Sequence, residues 1–200
     1  MTLSIRRRAA VLALAGFACL PAAAVHYEGQ QFPGTLQLDG NALTLNGTGK
    51  RQVAFYSLYL AALYLPQKVS RPDAVYSQPG PKRLEMRIVI PLVKDVSTQE
   101  FVKAIDKGVR RNSSEAELAA VLDRLKRFTA AIAEVGRVKK GDVLHIDYLP
   151  DQGGTVLTVN GKAWGKPVEG QDFYTAFLKV FLGDKNSDAD LRAGLLGQRG

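Results

Sequence analysis

From Arg51 to Leu65 the chain reads RQVAFYSLYLAALYL, an apolar run dense in Val, Phe, Tyr and Leu that ends at Pro66. Ala61 and Ala62 would suit a helix, but the tyrosines and Val53 favour a strand. On a straight strand side chains alternate, which puts Arg51, Ser57 and Tyr59 on one face and Tyr56 and Tyr64 on the other. A sheet built around this run is the first requirement on the fold.

Shorter strands are expected on either side. Leu36 and Leu38 alternate with Thr35 and Gln37 before the turn signal Asp39-Gly40, and Leu43 and Leu45 alternate with Thr44 and Asn46. Gly47-Thr48-Gly49 reads as a loop. Leu84, Met86, Ile88 and Ile90 share one face of a further strand, which Pro91 closes. Two helices follow, each opening on a capping-box pattern: Ser97 with Glu100, and Ser114 with Glu117. Phe101, Ile105 and Val109 stripe the first helix. Leu118, Leu122, Leu125, Phe128 and Ile132 stripe the second, which Gly136 stops. Strands return at 143–149 and 155–159. Asn160-Gly161 signals a hairpin into a strand through Ala163 and Trp164. A helix carrying Phe173, Phe177 and Phe181 ends at Gly183, and Ser187 opens a last helix with Leu191, Leu195 and Leu196. Grouped strands and grouped helices predict an α+β fold, with the helices on one face of an antiparallel sheet.

The first 24 residues read as a signal peptide. Arg6, Arg7 and Arg8 precede an apolar stretch from Ala9 to Leu20, too short to span a bilayer comfortably, and Ala22-Ala23-Ala24 supplies a cleavage site. An acylated Cys19 is the alternative, but Gly16 and Phe17 fit it poorly. Cleavage after Ala24 leaves residues 25–200 as a single domain in the periplasm or outside the cell. Loss of three arginines and no acid takes the formal charge from +8 to +5, and the only cysteine goes with them. No second stretch has spanning length, so no stable membrane insertion is expected after cleavage.

Catalytic signatures are sparse. There is no H-E-x-x-H, G-x-S-x-G or G-x-G-x-x-G, and Arg51 stands where a phosphate loop needs Ser or Thr. Two histidines and one cysteine leave no metal site and no axial pair for haem, so no cofactor is expected. His145 is expected to pair with a neighbour or face water. The basic residues are dispersed, which speaks against nucleic acid. The informative pair is Arg51 with Tyr59: a guanidinium fork beside a phenol, among apolar walls, suits a carboxylate, phenolate or enolate. The plainer reading makes Arg51 a surface residue and the tyrosines core.

Three blocks together resemble the chalcone isomerase superfamily, especially its exported bacterial members. They are Leu45–Arg51 leading to Tyr59–Pro66, then Lys82–Leu92 with the Phe101 helix, then Phe177–Gly197 with its Phe-Leu-Gly-Asp and Asp-Leu-Arg-Ala-Gly-Leu-Leu-Gly segments. The resemblance covers nearly all of the chain beyond Ala24. It implies an open-faced β-sandwich: a long curved antiparallel sheet under a helical layer, with a ligand cleft between. Plant members close a chalcone to a flavanone, and fatty-acid-binding relatives use the same arginine and a nearby tyrosine to hold a carboxylate.

By that resemblance Arg51 is the family arginine and Tyr59 falls near a plant threonine. Phe101 stands roughly where plant enzymes hold water with a tyrosine, Gly108 where they have an asparagine, and Tyr174 near their substrate-selecting Ser or Thr. Phenylalanine and glycine offer no side-chain hydrogen bond, so plant-type catalysis is not expected. The expected ligand-binding residues are Arg51, Tyr59, Phe101 and Tyr174, and the expected ligand is a small amphipathic carboxylate or phenolic compound. The alternative function is an isomerase, an intramolecular lyase of the chalcone-flavanone type.

Overall fold

A computed structural model describes residues 23–53, 55–90, 96–185 and 188–198. The signal segment up to Ala22 therefore lies outside the described residues, as do Pro91 and Ser187, read above as a strand stop and a helix cap. A short hairpin of β1 (Val25–Tyr27) and β2 (Gln30–Phe32) opens the described chain. The main sheet begins with β3 (Thr35–Leu38), β4 (Asn41–Val53) and β5 (Tyr56–Leu65). A short helix α1 (Pro72–Ser77) precedes β6 (Lys82–Ile88). Next come β7 (Val96–Ser97), α2 (Thr98–Asn112), α3 (Glu115–Val135) and β8 (Arg137–Val138). The chain returns to the sheet through β9 (Val143–Leu149), β10 (Gly154–Val159) and β11 (Lys162–Val168), and finishes with α4 (Gln171–Leu182) and α5 (Ala189–Leu195). Seven strands form one curled antiparallel sheet in the order β11-β10-β9-β6-β5-β4-β3, so the fold is the α+β type expected.

Both faces of the sheet are covered, which explains the unbroken apolarity of β5. Tyr59, Ala61, Leu63 and Leu65 point into the larger core under the helices, beside Leu84, Met86 and Ile88 of β6. Leu60, Ala62 and Tyr64 point the other way, into a smaller core with Phe32, Leu43 and Leu45. The β1–β2 hairpin is held over that side by Arg87. Its guanidinium lies 4.0 Å above the Phe32 ring and donates to the Gln31 carbonyl at 2.9 Å.

Three local expectations are corrected. The Arg51–Leu65 run is not one strand: β4 ends at Val53 and β5 starts at Tyr56, so the run is a hairpin. Gly47-Thr48-Gly49 is not a loop but the middle of β4. Glycine is needed there because α5 lies against the strand: a Cβ on Gly47 would stand 2.1 Å from the Gly194 carbonyl oxygen. And α5 is capped by Asp188, whose carboxylate accepts from the Leu191 N–H at 2.9 Å. The α3 capping box forms in both directions, Glu117 N–H to Ser114 Oγ and Ser114 N–H to Glu117 Oε2. At α2 the cap is one-way, from Gln99 N–H to Ser97 Oγ, while Glu100 pairs with Lys103.

Two bulges shape the β4–β5 pair. The register skips Asn46 on β4 and Leu58 on β5. The first lets the buried Asn46 amide donate to the Leu195 carbonyl and accept from the Val69 N–H, tying α5 and the β5–α1 connection to the sheet. The second lies at the cavity described next, where a bulge commonly re-aims a side chain.

Candidate functional site

Between the sheet and the helices α2, α3 and α4 is a cavity of about 240 Å³. Its walls are Met86, Ile146 and Leu157 from the sheet and Ile105, Ile132 and Phe177 from the helices, with Leu58 and Val53 toward the β4–β5 turn. Arg51 and Tyr59 are its polar members on the sheet side, and Phe101 adds an aromatic wall from α2. Thr98 also lines it but donates its hydroxyl to the Gly136 carbonyl. The residues around it include no His, Cys, Lys or Ser, and among the described residues no cluster of metal-ligating side chains occurs.

Arg51 and Tyr59 meet for a reason other than strand alternation. They are directly opposed across the β4–β5 ladder, and therefore share its helix-side face. The Arg51 guanidinium lies 3.2 Å from Asp188 of the α5 cap, with Arg51 part-exposed and the acid largely buried. Asp188 is a site residue the sequence reading missed. The signal was present: an Asp three residues before Leu191 is a normal helix start.

The Tyr59 ring is buried, 8% exposed, and 6.3 Å from the Phe101 ring. Burial pushes its phenol well above the ordinary tyrosine range. Arg51 pulls it back and nearby Asp188 adds to the rise. The phenol is thus a neutral hydrogen-bond donor at physiological pH, with no side-chain or backbone partner among the described residues. The arrangement offers an anion a charged fork and a neutral donor, and offers an alkyl chain apolar walls. Glu100 of α2, paired with Lys103, also borders the cavity, and no histidine does.

Of the four expected ligand-binding residues, Arg51, Tyr59 and Phe101 line one cavity and Tyr174 does not. Tyr174 is buried on α4, stacked on Tyr148 with ring centroids 5.4 Å apart, and its hydroxyl donates to the Ile146 carbonyl at 3.1 Å. One helical turn on, Phe177 takes the cavity-lining position. Gly108 has a packing role: a Cβ there would stand 2.7 Å from Val180 Cγ1, so glycine lets α2 approach α4. His145 pairs with Glu85 at 3.4 Å on the opposite face of the sheet. Desolvation raises the Glu85 carboxyl, but hydrogen bonds from His145 and Arg87 outweigh it and hold the group below the usual range.

Beside the cavity is a shallower polar recess that shares Arg51, Tyr59 and Ala104 with it. Lys107, Arg111 and Lys185 join Arg51 around this recess, and no acidic residue lines it.

A family model described as chalcone isomerase-like matches residues 24–197. The crystal structure of an Arabidopsis thaliana fatty-acid binding protein is similar in fold, with a TM-score of 0.64 and 14% identity. The match covers 88% of this chain and 97% of that one. No curated protein sequence matches the chain.

Proposed function

The chain belongs to the chalcone isomerase-like family, and from that premise we propose that it binds a fatty acid or similar amphipathic anion without plant-type catalysis. The observation that carries this reading is one apolar cavity with Arg51 and Tyr59 together at its edge. The alkyl chain lies among Met86, Ile105, Ile132 and Phe177. The carboxylate takes the Arg51 fork in place of, or alongside, the Asp188 carboxylate, and accepts from the Tyr59 hydroxyl. The fatty-acid binding protein of similar fold supports the choice of ligand class. Phe101 and Gly108 present no polar side chain to a reacting carbonyl, which argues against ring closure.

The test is Arg51→Ala, with fatty-acid binding followed by calorimetry and the fold followed by circular dichroism. Loss of the charged half of such a pair should weaken binding about 30-fold or more. Arg51→Lys should restore only part, because an ammonium lacks the planar fork. A folded alanine variant that binds as tightly as the wild type would remove Arg51 from the site.

We also propose export, from Arg6–Arg8, the apolar stretch and the alanines before Val25. Intact-mass analysis of the protein from the host's envelope fraction should give a chain beginning at Val25. A cytoplasmic protein that keeps its first residues would overturn this.

A further inference from the structure

Three side chains at the turn between β4 and β5 face solvent: Val53 at 49% exposure, Phe55 at 97% and Tyr56 at 59%. Among the described residues, the only other large hydrophobic side chain so exposed is Val25, at the start of β1. Three other two-residue hairpin turns among the described residues are polar, each with a glycine at positive φ: Glu28-Gly29, Asp39-Gly40 and Asn160-Gly161. The β9–β10 connection through Pro150–Gln152 is polar as well and ends on Gly153 at positive φ. The β4–β5 turn thus departs from the pattern the same chain follows three times. Leaving a Phe in water forgoes the gain of burying it, so an exposed apolar tip marks a contact surface.

The tip is continuous with the cavity. Val53 belongs to both, and Leu58 continues the apolar surface inward. Arg51 lies two residues before Val53, about 7 Å along the strand. On the same side is the recess with Arg51, Lys107, Arg111 and Lys185 and no acid in its lining. Apolar and aromatic side chains projecting beside cations are the profile of a protein segment that enters an anionic lipid interface. A protein partner fits less well: a standard interface needs ~800 Å² per partner, and three side chains supply a few hundred at most. No helix among the described residues is long and apolar enough to cross a membrane.

We propose that the β4–β5 tip docks on the surface of an anionic lipid bilayer, with Val53, Phe55 and Tyr56 in the interface and Lys107, Arg111 and Lys185 over the headgroups. Docking brings the mouth of the cavity to the membrane, so that an amphiphile passes between bilayer and cavity without crossing water. The docking stands on the tip itself. The loading route rests on the binding function proposed above.

The experiment is co-flotation of the protein with vesicles of phosphatidylcholine alone and of phosphatidylcholine mixed with phosphatidylglycerol. The wild type should float with the mixed vesicles, less so at high salt. Phe55→Ser with Tyr56→Ser should weaken flotation roughly tenfold or more, and circular dichroism should be unchanged because both positions are exposed. Lys107→Glu with Arg111→Glu should abolish the preference for anionic vesicles. Calorimetry with decanoate separates the two ideas: the Phe55/Tyr56 variant should bind decanoate like the wild type. If it floats like the wild type, the docking proposal is overturned, whatever calorimetry gives. If no protein binds decanoate but flotation depends on the tip, docking holds and the loading route falls. If the tip variants instead convert a sedimenting dimer to a monomer without affecting flotation, a second copy is the occupant and the proposal is wrong.

Discussion

Lys82 lies on the helix-side face of β6, 1% exposed, with its ammonium 3.4 Å from the Gly80 carbonyl and 5.1 Å from the Tyr148 ring centroid. Neither partner offsets the loss of water, and burial pushes its pKa down from 10.5 to about 8. The lowered value means that the folded state resists the proton which the unfolded chain accepts. The full penalty therefore applies below pH 8, shrinks as pH rises from 8 to 10.5, and is gone above that. From the shift it is worth about 3 kcal/mol. Lys82→Met keeps the length and removes the charge. It should be more stable than the wild type by about 1–3 kcal/mol at pH 7 in urea unfolding, with the gap closing by pH 10.5. A gap that is absent at pH 7, or that widens with pH, would show that the amine is solvated. Reactive lysines share this kind of setting, but no cavity among those described opens onto Lys82. The same scale shows how Arg51 and Tyr59 were legible for a partly wrong reason. Alternation along one strand placed them on a common face; in fact they face each other across a hairpin, and the two geometries give the same pairing.

At the level of elements, the contact of β4 with α5 decides where Asp188 stands relative to Arg51. It is a backbone-to-backbone approach. A Cβ on Gly47 would meet the Gly194 carbonyl, and one on Gly194 would stand 2.3 Å from the Thr48 carbonyl. Neither neighbour can turn aside as a side chain could. Gly47→Ala should therefore cost about 3 kcal/mol, the upper end for overpacking, and should loosen α5 so that limited proteolysis cuts near residue 188. Gly108→Ala is the internal control. Its Cβ meets only the Val180 side chain, which can shift, so the expected cost is about 1 kcal/mol. Equal costs for the two in urea unfolding would deny the close approach. These glycines also show where the sequence was opaque. Gly-Thr-Gly reads as punctuation, because glycine most often serves turns, and only the packed helix reveals the other use. The β4–β5 turn was hidden for the converse reason: between Val53 and Tyr56 stand only Ala and Phe, with no Gly, Asn, Asp or Pro to mark a reversal. Where the marks were present, at Asp39-Gly40, Asn160-Gly161, Ser114 and Gly136, the elements ended as expected.

The whole molecule sets the size of the cavity, since its floor is the curled sheet and its roof is the α2–α3–α4 layer. Neither wall is a loop that can swing aside. The roof helices are joined to each other, with Phe128 edge-on against Phe173 and Phe177 and Lys179 of α4 bonded to Glu117 of α3, and Tyr174 ties α4 to the sheet through the Tyr148 ring and the Ile146 carbonyl. The volume is therefore a specificity filter. At about 30 Å³ for a water-sized group, 240 Å³ holds on the order of eight chain atoms. With the carboxylate held at Arg51 and Tyr59, each added methylene gains about 0.8 kcal/mol while it enters apolar surroundings, or about fourfold in affinity. That gain stops once the cavity is full. Calorimetry with straight-chain acids should show affinity climbing up to about eight to ten carbons and then levelling, because further methylenes project past Val53 into solvent. Ile132→Ala, which removes bulk from the roof wall, should move the plateau to longer chains while costing about 2–4 kcal/mol of stability. Affinity that climbs steadily to the longest soluble acids, or that ignores chain length from the shortest, would mean the alkyl chain does not lie in this cavity. In the latter case Arg51 would be binding small anions at the surface, and the apolar interior would be packing alone.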